Sequence, residues 1–66
     1  MDEFIENMDQ FLTDQGEVDE AFLKTLTLQQ IHILLHIVVT AVDDERNSDY
    51  YHNTLGTIAS FLQRNY

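Results

Sequence analysis

Residues Leu28 to Val42 would be apolar on almost every side if they form a helix. With Leu28 set at 0° and an advance of about 100° per residue, Gln29, His32, His36, Thr40 and Asp43 fall between about 40° and 120°. Every other direction carries Leu, Ile, Val or Ala, with Gln30 the exception. Such a helix needs cover nearly all round. Ile31, Ile33, Leu35, Ile37 and Val39 also alternate and are rich in β-branched residues, as a strand would be. Helix is the better reading. A lone strand would have no partner, and Thr27-Leu-Gln-Gln30 fits a capping box that starts a helix.

The other segments carry a clear helical period. Asp2 to Gln15 places Phe4, Ile5, Met8, Phe11 and Leu12 within an arc of about 120°, with acids and amides opposite. Gly16 follows where a C′ glycine would stop that helix. Val18, Phe22 and Leu26 are spaced by four and predict a short helix over Val18 to Leu26, with Asp19 and Glu20 in its first turn and Lys24 in its last. A polar connection runs from Asp43 to Ser48. The last helix, Ser48 to Arg64, puts Tyr51, Leu55, Ile58, Ala59 and Leu62 on one side, with Tyr50 and Phe61 on its flank and Gly56 on its polar side. The pattern therefore predicts an all-α fold: one domain over 1–66, three main helices plus one short one, dimerising through the central apolar helix.

Size sharpens that expectation. A chain of 66 residues buries only about 60% of its unfolded surface. Small domains make up the difference with disulfides, metals or oligomerisation. There is no cysteine, which removes disulfides and thiolate metal sites. Association is what remains, and Ile33, Leu34, Ile37 and Ala41 are the expected dimer interface. They would lie opposite the side of the helix, between about 280° and 20°, that faces its own chain.

Charge adds a second signal. Twelve acids against three bases give −9. Residues 1–20 hold eight acids and no base, residues 21–42 hold only Lys24, and residues 43–66 hold four acids against Arg46 and Arg64. Such a surface repels nucleic acid and anionic membrane and steers toward basic partners. We therefore expect a basic protein partner and no direct contact with nucleic acid or membrane. Glu3, Glu6, Asp9, Asp14, Glu17, Asp19 and Glu20 form the candidate acidic partner-binding face. The acidic N-terminus is unlike a signal or transit peptide, and Ile31 to Val42 is far shorter than the roughly 20 residues a spanning helix needs. A soluble, cytoplasmic protein is expected, in the host cytoplasm if the source is viral.

Candidate chemistry is sparse. His32 and His36 stand four apart, a spacing that can chelate a transition metal, but two imidazoles do not complete a site. Isoleucine at 33 breaks the metalloprotease pattern. The pair reads as the polar stripe of the central helix, with pH-dependent association as a sharper alternative, and no metal or cofactor is expected. There is no nucleophile elbow and no phosphate-cradling glycine loop. Met1, Met8, Phe4, Phe11, Phe22, Tyr50, Tyr51 and Phe61 at helical spacing read as core before cavity lining.

The functional expectation is a non-enzymatic protein–protein interaction module, a small acidic helical homodimer acting as regulator or adaptor. The alternative is an acidic mimic of nucleic acid that inhibits a basic nucleic-acid-binding protein or a defence enzyme, as in phage counter-defence.

Overall fold

The computed structural model describes residues 2–44 and 48–66. Within them the chain forms four helices and no strand: α1 (Asp2–Thr13), α2 (Glu20–Leu23), α3 (Leu28–Asp43) and α4 (Ser48–Asn65). The all-α expectation is met, and the strand-like alternation in Ile31 to Val39 is overruled. Glu45, Arg46 and Asn47 of the expected polar connection lie outside the described residues, as does Met1.

Local chemistry sets each boundary. At α3 the Thr27 hydroxyl accepts from the Gln30 amide at 3.1 Å, and the Gln30 side-chain oxygen accepts from the Thr27 amide at 3.0 Å. This is the reciprocal capping box that the sequence predicts, and it satisfies two otherwise orphaned donors. Asp19 is the N-cap of α2, one position before the first turn, and its carboxylate accepts from the Phe22 amide at 2.9 Å. Only Glu20–Leu23 of the expected Val18 to Leu26 segment is α-helical. Beyond it the Thr25 and Leu26 amides bond to carbonyls three residues back. A tighter turn of this kind brings the chain to extended Thr27.

The end of α1 departs from expectation in an informative way. The Gln15 amide donates to the Leu12 carbonyl and the Gly16 amide to the Phe11 carbonyl, both at 2.9 Å. These two bonds define a Schellman motif whose left-handed C′ residue is Gln15, at φ 58°, and not Gly16. Gly16 is required for a different reason. A Cβ there would lie 2.7 Å from Cδ1 of Phe11 and closer still to Cε1 and Cζ. The bare glycine is what lets the Phe11 ring lie across the turn.

The core is built on α3 and α4, with α1 seated on α3 and α2 on α4. Its centre is Leu12, Val18, Leu23, Ile31, Leu34, Val38, Ala41, Tyr51, Ile58 and Phe61. Two helices are turned relative to expectation. On α3 the buried residues Ile31, Leu34, Val38 and Ala41 span about 220° to 300°, roughly 70° away from the arc anticipated for its own chain. On α4 the buried line is Tyr51, Thr54, Ile58 and Phe61, while Ala59 is exposed. Phe61 wins the inward position because it covers far more apolar area than Ala59. Thr54 can follow it inside because its hydroxyl donates to the Tyr50 carbonyl at 2.8 Å, so no unpaired polar group is buried.

Candidate partner-binding groove

The rotation of α3 decides what the molecule offers to others. Leu34 (0% exposed) and Ala41 (2%) are core residues of their own chain. The four-residue dimer interface expected from the sequence is corrected on this point, since two of its members are consumed by folding. On the helix wheel these two point outward only if the α1 and α4 contacts lie about 70° further round than they do. Ile33 and Ile37 remain half-buried at the edge of the core, on the side toward α1.

There they meet α1. Ile5, Gln29, His32, Ile33, His36 and Ile37 line a groove of about 360 Å³ between the two helices. His36 and Ile37 also border an adjoining hollow of about 300 Å³, completed by Asp9, Thr40, Ala41 and Tyr51. The two form one open trough whose floor is isoleucine and whose outer wall is the polar stripe of α3. Ile5 is 40% exposed, at the open side of the groove between α1 and α3. An exposed isoleucine next to two half-buried ones makes a small concave apolar strip.

The polar stripe itself is where the sequence put it. Gln29, His32, His36 and Thr40 are all exposed. No group of three or more His, Asp, Glu or Cys side chains able to hold a metal occurs among the described residues.

All seven members of the candidate acidic face are exposed, but they are not equivalent. The Asp19 carboxylate is spent on capping α2. Asp14 accepts from the Gln10 side-chain amide at 3.1 Å. Glu20 stands 3.7 Å from Arg64 in an exposed pair, which is worth little energetically. Glu3, Glu6 and Asp9 climb α1 at three-residue intervals, about 4.5 Å of rise per step. Only Asp9 reaches the groove, at its far hollow.

Opposite the groove, the turn after α1 is firmly tied. Phe11 stacks on Phe22 with ring centroids 5.0 Å apart and planes 11° from parallel. The Tyr50 hydroxyl donates to the Gly16 carbonyl at 2.5 Å. Burial raises the Tyr50 pKa above its ordinary value of 10.0, a hydrogen bond with Thr54 opposes the rise, and neighbouring Tyr51 adds to it. Tyr51 sits against Tyr50 edge-on at 5.1 Å and also lines the Asp9 hollow.

The two α1 residues of the trough lie outside the expected dimer interface, Asp9 belonging to the expected acidic face instead, although the sequence holds a signal for each. Ile5 lies at one edge of the apolar arc of α1, the position most exposed when a single neighbour covers that arc. Asp9 is next to it on the helix wheel. Neither is legible as a groove residue until the azimuth of α3 is known.

Comparison of the chain with models of known protein families, with curated proteins and with solved structures finds no match. No helix among the described residues is long and apolar enough to cross a membrane.

Proposed function

We propose that this chain is a non-enzymatic protein-interaction module, a regulator or adaptor, whose contact surface is the trough between α1 and α3. The observation that carries the proposal is the uncovered isoleucine floor formed by Ile5, Ile33 and Ile37 and continued past His36 into the Asp9 hollow. A concave apolar strip with a polar rim is the form in which proteins receive the side chains of another chain. The trough contributes binding surface and two imidazoles. A photo-crosslinking amino acid at position 33 tests the idea in the native cell, with position 53 on the exposed side of α4 as control. A discrete protein adduct from position 33 and none from position 53 is the expected result. Equal labelling from both positions removes the groove from the argument.

The acidic face supports a second reading. Glu3, Glu6 and Asp9 are exposed in a rising row on a helix without a single basic residue, and a row of that sign can occupy a basic nucleic-acid-binding surface. Such inhibition would rest on charge and not on the isoleucine floor. It would weaken steeply with added salt and vanish when the three residues are changed to lysine, whereas the groove reading tolerates both changes better.

A further inference from the structure

We infer that the occupant of the α1–α3 trough is a basic amphipathic helix of another protein, an inference that rests on the trough being the contact surface. Length comes first. From Gln29 to Ala41 the lining of α3 extends about 18 Å, the length of three helical turns. Within it the apolar part, Ile33, Ile37 and Ala41, covers about 12 Å, which suits anchors at i, i+3 or i+4, and i+7 of a helix. The floor holds isoleucines from both walls, so the anchors must be apolar.

The charge of the walls selects among apolar helices. The first 23 residues contain no Lys, Arg or His. Glu3, Glu6 and Asp9 on α1 therefore stand without a neighbouring cation on their own helix, and Asp9 enters the trough itself. Of the described cations, Arg64 is engaged with Glu20. A lysine- or arginine-flanked helix would meet these carboxylates across the rim and gain in both encounter rate and specificity.

The same charge disfavours a second copy of this chain. Two bodies each carrying −9 repel, and the apolar patch needed to overcome that repulsion has lost Leu34 and Ala41 to the core.

The test uses the full chain and three synthetic helical peptides of about 15 residues. All carry leucine at i, i+3, i+4 and i+7, and their flanks are lysine, glutamine or glutamate. Affinity is measured at low and high salt, and amide chemical-shift changes locate the contact. The lysine peptide should bind at least about tenfold tighter than the glutamine peptide at low salt. Shifts should fall on residues 29–41 and 5–9, and the double change Ile33→Ser with Ile37→Ser should weaken binding by about tenfold or more. Because that variant can lose stability, the shift map on the unaltered chain is read independently of it.

A glutamine peptide that binds the trough equally well keeps the groove and overturns the basic partner. A lysine peptide whose shifts lie only on the outer side of α1 overturns the inference in favour of the charge-only reading. Sedimentation that shows a dimer joined through residues 33 and 37 assigns the trough to a second copy and also overturns it. Binding by none of the peptides overturns it as well, and the crosslinking from position 33 then decides separately whether the trough contacts protein at all.

Discussion

The two ends of α1 are seated in opposite ways. At its C-terminal end Leu12 is buried, Phe11 stacks on Phe22, Gly16 lies beneath the Phe11 ring, and Tyr50 reaches across from α4 to the Gly16 carbonyl. At its N-terminal end Phe4 and Met8 are only half-buried and Ile5 is exposed. The same amphipathic stripe runs through both ends, so composition does not make the difference. Cover does. α2 and α4 both reach the corner near Gly16, through Phe22 and Tyr50, whereas the first turns border the open trough shared with α3. The lesson is that a small chain can hold its fold with one end of a helix and leave the other end's apolar face available for a partner.

The largest expected effect sets the corner against the groove directly. Leu23 on α2 is fully buried beside the corner, and Leu23→Ala should cost about 2–5 kcal/mol by leaving a cavity. Ile5→Ala removes a similar hydrocarbon volume from the groove, where solvent already reaches it, and should cost less than about 1 kcal/mol. Urea denaturation of both variants gives the comparison. Equal losses would mean that the N-terminal end of α1 is as much a part of the core as the corner.

Gly16→Ala comes next. The added methyl must displace the Phe11 ring, and overpacking of this kind costs about 1–3 kcal/mol. Coupling identifies the cause. Combined with Phe11→Leu, the alanine should cost measurably less than it does alone, with an interaction energy above about 0.5 kcal/mol. Strict additivity would mean that the ring is not what excludes the methyl.

Tyr50→Phe tests the tie from α4. Loss of the bond to the Gly16 carbonyl should cost about 0.5–1.5 kcal/mol near neutral pH. The folded-state pKa of Tyr50 is raised, chiefly by burial. Its contribution is therefore fully present below the unfolded value of 10.0 and is lost as pH rises through the folded value. The stability difference between the natural chain and Tyr50→Phe should narrow in alkali. Parallel urea titrations at neutral and strongly alkaline pH, with Tyr51 and Tyr66 common to both proteins, would show it. A difference that stays constant would remove the hydroxyl from the account.

What could be read from the chain divides along physical lines. Local hydrogen-bond chemistry was legible: the Thr27–Gln30 box, the helical character of a β-branched segment and the exposed stripe of Gln29, His32, His36 and Thr40 all follow from neighbours in sequence. The azimuth of each helix was not. Ile33, Leu34 and Ile37 are equally apolar, and only the position of α1 and α4 decides that Leu34 turns inward while the other two line the groove. Leu23 escaped notice for a related reason. The four-residue spacing of Val18, Phe22 and Leu26 suggests one face, yet the turn that ends α2 makes Leu23 its buried residue. The groove depends on those azimuths: Leu34 and Ala41 of the expected interface turn into the core, and Ile33 and Ile37 line the groove.

The smallest expected effect runs in the stabilising direction and concerns the residue at the corner that local reading put one position late. Gln15 holds φ 58°, a left-handed conformation that costs a side-chain-bearing residue roughly 1–2 kcal/mol and glycine almost nothing. Glycine also loses more freedom on folding, which offsets part of that gain. Gln15→Gly should therefore stabilise the chain by about 0.5–1 kcal/mol, whereas a glycine at the neighbouring exposed position, Asp14→Gly, should destabilise it. Gln15 is exposed, so no packing is lost in the exchange. The comparison also bears on the groove. A firmer corner should leave peptide affinity at Ile33 and Ile37 unchanged, since the trough lies at the other end of α1. A change in affinity that follows the change in stability would show that the two ends are mechanically one unit, and that the groove's shape is set from the corner.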